Sequence, residues 1–215
     1  PIAFDSVGTG VNTNFDGTIT WTHNIVSNTD GILIVVASIN EAGIFNASPK
    51  FAGNNLTKVI SGSIGAVKSH ELWYLLTPPT GLGTFNGTWS ASEDAKEGVS
   101  MAYTGVDQTT PIVGSNSAIG TATSGSIART LGAGNWFVGG DSEGDDKGTT
   151  STGVERGTAA AGIVTETLGA DSTGGTLRWT HPNVRFITLG VELGTAGGAP
   201  AVTTAGWKSL MGVGA

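Results

Sequence analysis

Hydrophobic and polar residues alternate along several stretches of this chain, a pattern typical of β-strands with one buried face. In "VSMAYT", Val99, Met101 and Tyr103 share one side of the predicted strand. The segment "FITLGVEL" at 186–193 repeats the alternation. By contrast, "GILIVVASI" (Gly31–Ile39) is apolar on both sides, which predicts a central strand.

No segment carries a sustained apolar stripe of helical period, and Gly-, Asn- and Pro-rich turns separate the alternating stretches. About a dozen short strands are therefore expected. Besides those above, strands are predicted near Ile2–Val7, Thr18–Asn24, Phe51–Ile60, Val67–Leu76, Phe85–Ser90, Ser126–Leu131, Trp136–Asp141, Ile163–Leu168 and Thr176–His181. This pattern predicts an all-β fold, a two-sheet antiparallel β-sandwich of jelly-roll type.

The composition changes after Leu193. We expect residues 1–193 to form the sandwich and the small, nearly uncharged residues 194–206 to form a flexible linker. Residues 207–215 follow as a C-terminal docking segment. Its apolar residues, predicted to bind a neighbouring subunit, are Trp207, Leu210, Met211 and Val213. The alternative is a tail that folds back on its own core.

Composition and charge narrow the classes of function. With 215 residues and 38% hydrophobic content, the chain is long enough to bury a sizeable core. Its formal net charge of −7 argues against nucleic acid and anionic membranes as partners. The absence of cysteine excludes disulfides, thiolate metal sites and cysteine nucleophiles. No secretory signal or membrane-spanning stretch is visible, so we expect a protein made in the cytoplasm.

Two nearly identical phrases, "TITWTHN" (Thr18–Asn24) and "TLRWTHPN" (Thr176–Asn183), each end a predicted strand with Trp-Thr-His. Strand geometry places His23 and His181 on the core side, beside the tryptophan. A metal site would need a further ligand, and His70 has no carboxylate at a suggestive spacing. We therefore interpret these histidines as core residues at the ends of strands.

The motif "GDSEG" at Gly140–Gly144 matches the G-x-S-x-G pattern of serine hydrolases. A nucleophile elbow also needs a helix after the turn, and the following residues predict none, so Ser142 is interpreted as a loop residue. The same stretch is acidic, and its weak candidate ligands for Ca²⁺ are Asp141, Glu143, Asp145 and Asp146. A solvated acidic loop is the favoured interpretation, and we predict no metal, no cofactor and no enzymatic activity.

Exposed aromatic side chains could form a platform for stacking against sugar rings. The candidates for glycan binding are Trp73 and Trp136. Trp73 shares a strand face with Glu71, so its side chain lies either toward solvent or between layers. A carbohydrate- or receptor-binding module is therefore the alternative function.

Several phrases together resemble a loosely defined family of β-sandwich proteins found in tailed-phage virions and on bacterial surfaces. They are "GILIVVASI" (Gly31–Ile39), "FAGNNLTKV" (Phe51–Val59), "ELWYLLTPPTG" (Glu71–Gly81), "AYTGVDQTTPI" (Ala102–Ile112) and "LGVEL" (Leu189–Leu193). The resemblance implies a virion structural protein, a capsid decoration or minor capsid protein without a catalytic site. It also implies capsid or other virion proteins as partners and a homo-oligomer, for which a trimer is the expectation.

Overall fold

The computed structural model describes residues 1–13, 16–91, 95–144, 148–160 and 166–197, and in these residues every regular element is a β-strand. The strands are β1 (Ala3–Asn12), β2 (Thr18–Ile25), β3 (Ile32–Ile39), β4 (Lys50–Phe51), β5 (Asn54–Asn55), β6 (Thr57–Ile64), β7 (Lys68–Leu76), β8 (Gly81–Thr88), β9 (Lys96–Thr104), β10 (Ile112–Ala128), β11 (Trp136–Glu143), β12 (Thr149–Thr152), β13 (Val154–Ala160), β14 (Glu166–Ser172) and β15 (Thr176–Leu193). The described part contains no helix able to span a bilayer.

The strands form three antiparallel sheets, which we name by position. The central sheet has the order β1-β9-β3-β7-β6, the small sheet β2-β8-β4-β5, and the large sheet β10-β15-β11-β14-β13 with β12 added on β15. The predicted all-β antiparallel sandwich is therefore confirmed. The number of layers differs from the prediction, because the central sheet is covered on both faces rather than one.

Strand β3 explains the third layer. All eight of its residues are buried, as the doubly apolar "GILIVVASI" predicted. Ile32, Ile34 and Val36 pack toward the large sheet, against residues such as Leu189 and Val191 of β15. The intervening residues of β3 face the opposite way, into a second core shared with the small sheet. A strand that is hydrophobic on both sides thus requires a partner sheet on each side.

The core between the central and small sheets is rich in aromatic rings. Trp21 stacks on Phe85 with ring centroids 4.0 Å apart, and Phe45 stacks on Trp89 at 4.1 Å. In β2 the residues alternate strictly between exposed and buried, so Trp21 faces inward as its sequence pattern predicted. Gly98 of β9 lies against the Trp21 indole, where a side chain would collide with the ring.

The large sheet doubles back on itself. The side-chain amide of Asn116 donates to the backbone carbonyl of Ala128 at 2.8 Å, although both lie in β10. In a straight strand, twelve residues would separate them by about 40 Å. The pairing of β10 with β15 changes register between Ala122 and Ser124, and at this point both strands bend.

The bend places a third hydrophobic cluster on the outer face of the large sheet. Phe137 of β11 and Leu168 of β14 lie beneath, and Leu177 and Trp179 of β15 lie above them. At the bend, Thr123 of β10 stands opposite the three β15 residues 181–183. Proline lacks an N–H for the ladder, and such a bulge is one of the few places in a sheet that accept it. The sequence "HPN" therefore fits the bend.

The close contact between Trp21 and Gly98 gives a stability prediction. A Cβ atom on Gly98 would overlap Cη2 of Trp21. Because the buried Trp21 ring or the strand would have to shift, Gly98→Ala should lower the free energy of unfolding by about 1–3 kcal/mol, measured by urea denaturation. Gly120→Ala is the matched control, since its Cβ would lie 3.4 Å from the Phe186 ring, an ordinary contact. Equal stability of the two variants would contradict the tight packing of Trp21.

Candidate functional site

A cluster of buried polar side chains lies beneath the bend of the large sheet. Asp141 and Glu143 project from the face of β11 that turns away from the central sheet, two residues apart on one side of the strand. His181 reaches them from the bend of β15. One ligand-type atom from each of the three residues lies within 4.8 Å of those of the other two.

The hydrogen bonding of His181 determines which ring nitrogen carries hydrogen. Nδ1 lies 2.9 Å from the carbonyl oxygen of Pro182, and a carbonyl oxygen can only accept. Nδ1–H is therefore the donor, and in the neutral ring Nε2 is left with a free lone pair. That nitrogen lies 3.8 Å from Oδ2 of Asp141, too far for a hydrogen bond. On the other side of the ring, Nδ1 is 3.7 Å from Oε2 of Glu143.

Polar groups from β7, β14 and β15 lie around the two carboxyl groups. The Thr188 hydroxyl donates to Oδ1 of Asp141 at 2.6 Å. The Lys68 ammonium, from β7 of the central sheet, donates to the backbone carbonyl of Glu143. Glu166 of β14 adds a further carboxyl group nearby, and its Oε2 accepts a hydrogen bond from the backbone N–H of Gly148.

Four buried polar atoms of the cluster have no hydrogen-bond partner. They are Oδ2 of Asp141, both carboxyl oxygens of Glu143 and Nε2 of His181. Leaving a polar group buried and unpaired costs about 1–3 kcal/mol, so few native proteins keep several in one place without a function for them. The arrangement is suited to a bound cation, because carboxylate oxygens and an imidazole nitrogen are the donors that proteins use for divalent metals.

Both carboxyl groups have raised pKa values. Burial raises the pKa of Asp141 to about 6, against the opposing effects of the Thr188 hydrogen bond and nearby positive charge. Burial also raises the pKa of Glu143, to about 9, and the neighbouring Asp141 and Glu166 carboxyl groups raise it further. At neutral pH Glu143 therefore keeps a proton that an exposed carboxyl group would have lost.

Beside the cluster lies an open depression of about 370 Å³. It is lined by Asn40, Val67, Lys68, Thr121, Gly144, Asn183, Val184 and Arg185. Side-chain amides, a hydroxyl and two cationic groups thus surround a space large enough for a small polar molecule.

Ser142 lies on the opposite face of β11 from Asp141. It is fully buried within a strand, toward the central sheet, and its hydroxyl has no partner. It is therefore a strand residue, and the prediction that it lies in a loop is wrong. The sharp strand-to-helix turn of a nucleophile elbow is not formed there, as the sequence after Gly144 indicated.

The remaining predicted site residues lie elsewhere. Trp73 is 5% exposed and lies between the central and small sheets, where its indole N–H donates to Glu71 at 2.9 Å. Trp136 is half-buried beside Tyr103, with ring centroids 6.1 Å apart. The predicted docking residues Trp207, Leu210, Met211 and Val213, and the acidic residues Asp145 and Asp146, lie outside the described residues.

Sequence reasoning missed the proximity of His181 to Asp141 and Glu143. Two signals for it were present: Asp141 and Glu143 two residues apart in a strand, and a histidine on a core-facing position. The signals are 38 residues apart along the chain, and only the bend of β15 joins them. The prediction that a strand ends at His181 is also wrong, since β15 continues to Leu193.

Comparisons with protein-family models, with curated proteins and with solved structures found no match.

His23, in the matching phrase of β2, has a different environment. Its Nδ1 lies 2.8 Å from the Ser100 hydroxyl and its Nε2 lies 3.0 Å from the Ser6 hydroxyl, so both ring nitrogens have partners. It is 2% exposed and packs on the Phe51 ring. The interpretation of His23 as a core histidine is confirmed.

The burial of His23 gives a prediction about pH. Burial lowers its pKa to about 4, below the ordinary value of 6.5, so the folded chain disfavours the protonated ring. The stability that this provides is complete above pH 6.5 and is lost as the pH falls toward 4. We expect His23→Gln to flatten the decline of the unfolding free energy over this range by on the order of 2 kcal/mol.

Urea denaturation between pH 4 and pH 7 measures this decline. The Asp141 and Glu143 carboxyl groups titrate in both proteins, so their effects cancel in the difference. Thr22→Gln, at the exposed neighbouring position of β2, is the control and should keep the wild-type slope. A His23→Gln variant whose slope also stays unchanged would show that His23 is not held neutral.

Proposed function

We propose that this chain is a structural protein of a larger assembly, of the virion type that the sequence resemblance implies. In that role it is a capsid decoration or minor capsid protein that binds neighbouring subunits. The observation that carries the proposal is the long free edge of β10. Supporting it are the three-layered body with two continuous cores and the acidic net charge of −7, which would keep unassembled subunits soluble.

Strand β10 is an edge strand of unusual length. In the part of the chain that the structure describes, it pairs with β15 alone, and its register is regular over the nine residues Gly114–Ala122. The whole strand of 17 residues contains no charged residue and no proline. Val113 and Ile119 are 45% and 46% exposed. Such an edge invites pairing with another chain, and monomeric proteins normally protect it.

The other described edges carry the usual protection. Bulges interrupt β1 between Phe4 and Ser6, β6 between Lys58 and Ile60, and β13 between Glu155 and Gly157. Charged side chains accompany each of these bulges, and β5 has only two residues. Strand β2 lies against β1, where Gly8 meets the His23 ring. Among the described edge strands, β10 is the longest, and it has a nine-residue run of regular pairing without a charged residue, which favours an interface there.

The occupant we propose for this edge is a second copy of the chain, in a homo-oligomer for which a trimer remains the expectation from the resemblance. Residues 207–215 supply a further predicted contact through Trp207, Leu210, Met211 and Val213. The two contacts are separable, since one belongs to the folded body and the other to a tail beyond the described residues.

The edge proposal predicts the effect of added charge. In the Ser115→Lys/Ser117→Lys variant, two ammonium groups on the exposed edge should repel an incoming strand and weaken self-association at least tenfold. Sedimentation velocity and light scattering measure the assembly state. Thr84→Lys/Thr88→Lys is the matched control, because it adds the same charge at exposed positions of β8, which is paired on both sides.

Two outcomes would overturn the edge proposal: a wild-type chain that stays monomeric at every concentration tested, or an oligomer that the β10 lysines do not weaken. A separate deletion of residues 206–215 tests the tail. Weaker assembly on deletion, together with no effect of the β10 lysines, would assign the contact to the C-terminal segment instead.

A carbohydrate- or receptor-binding module remains the second candidate, now favoured by the polar depression rather than by Trp73, whose ring is buried. Asn183 and Arg185 line that depression beside Lys68. Amides and guanidinium groups recognise hydroxyl and carboxylate groups of acidic sugars.

This second candidate predicts binding on a glycan array that Arg185→Ala reduces at least tenfold. Arg178→Ala is the control, since Arg178 is an exposed arginine of the same strand that does not line the depression. Trp136→Ala tests the aromatic platform in the same experiment. An array without any bound glycan, or binding that Arg178→Ala reduces equally, would exclude the depression as a sugar site.

A further inference from the structure

We propose that Asp141, Glu143 and His181 bind one divalent transition-metal ion, for which Zn²⁺ is the probe, and that the ion fastens the bend of β15 to β11. The proposal is independent of the assembly role, because the three side chains are buried inside one subunit. It departs from the expectation, drawn from the sequence, that the chain holds no metal. Its ligand set keeps Asp141 and Glu143 from the Ca²⁺ candidates, and it includes His181 in place of Asp145 and Asp146.

The tautomer of His181 is the one that a metal-ligating histidine needs. Metal-binding histidines usually donate their second ring N–H to a carbonyl or carboxylate, which fixes the ring and aims the other nitrogen at the ion. Here Nδ1–H donates to the Pro182 carbonyl, and Nε2 points into the cluster without a partner. His181 is 5% exposed, so no bulk water can satisfy that nitrogen.

The distances suit a shared ion. Two ligand atoms at about 2.0–2.1 Å from Zn²⁺ in tetrahedral geometry lie about 3.4 Å from each other. Nε2 of His181 and Oδ2 of Asp141 are 3.8 Å apart, so a movement of a few tenths of an ångström would bring both to bonding distance. The Glu143 carboxyl group lies within the same 4.8 Å cluster, with both oxygens unpaired.

The charges of the three side chains also favour a bound cation. Two carboxyl groups and an imidazole form a site that accepts positive charge, and a divalent ion would balance both carboxylates at once. Lys68 donates to the backbone carbonyl of Glu143, and Asp141 Oδ2 and both Glu143 carboxyl oxygens have no hydrogen-bond partner. Without an ion, these atoms are a cost to the fold that a hydrophobic replacement would avoid.

The donor set selects the class of ion. One imidazole nitrogen with carboxylate oxygens suits Zn²⁺ and its transition-metal neighbours. Ca²⁺ takes six to eight oxygen ligands, commonly including backbone carbonyls, and the three clustered side chains cannot supply that many. The hydrogen bond to Asp141 from the Thr188 hydroxyl fixes Oδ1 and leaves Oδ2 facing the cluster.

The test is a calorimetric titration of the full chain, first dialysed against a chelator, with ZnCl₂. We expect one Zn²⁺ per chain and a higher melting temperature. His181→Gln and Asp141→Asn should each weaken binding at least tenfold. His23→Gln is the matched control, because it makes the same change in the matching Trp-Thr-His phrase, and it should keep the wild-type affinity.

Co²⁺ in place of Zn²⁺ adds a spectroscopic readout, since its visible absorption reports nitrogen and oxygen coordination. If His181→Gln does not fold, ¹⁵N NMR of the wild-type chain replaces it, and Zn²⁺ should shift Nε2 of His181 strongly. Three results would overturn the proposal. They are no saturable Zn²⁺ uptake, uptake that leaves the His181 resonances and both variants unaffected, and tighter binding of Ca²⁺ than of Zn²⁺.

Discussion

The long antiparallel ladder between β10 and β15 is the constraint on which the rest of the large sheet depends. Paired over most of their length, the two strands cannot bend separately, so they turn together where Thr123 faces residues 181–183. The bend lays one half of the ladder over the outer face of β11 and β14. That face then becomes a buried core around Phe137 and Trp179 instead of a solvated surface. The polar cluster lies at the same bend because the apolar cover ends there.

Strand β11 is covered on both faces, which explains why its polar side chains are shielded from water. Ser142 faces the central sheet, and its neighbours Asp141 and Glu143 face the folded half of β15, so three successive polar residues are enclosed. In a two-layered sandwich, one face of this strand would meet water and its carboxyl groups would be hydrated. The doubled-back sheet removes that water. The raised pKa values of both carboxyl groups follow from the same enclosure.

The local strands were predictable from the sequence, and their assembly was not. Alternation identified the core face of β2, and the doubly apolar β3 indicated a central strand. Alternation with a period of two residues does not predict how many sheets a chain forms. It indicates that one face of a strand is buried, but it does not indicate which element covers that face. For the same reason β10, with its Ser, Thr and Gly residues, gave a weak signal, although its 17 residues organise the large sheet.

The two Trp-Thr-His phrases show that the same local sequence pattern does not determine the hydrogen-bond partners of its histidine. Both place tryptophan and histidine on the buried side of a strand, and both histidines are nearly inaccessible to solvent. They differ in the residue that follows. Asn24 continues the regular pairing of β2 with β8, which carries His23 to two serine hydroxyl groups. Pro182 cannot donate to a ladder, so β15 bulges, and the freed Pro182 carbonyl accepts the hydrogen of His181 Nδ1. A single proline thus places the second histidine beside two carboxyl groups. Its Nε2 has no hydrogen-bond partner there.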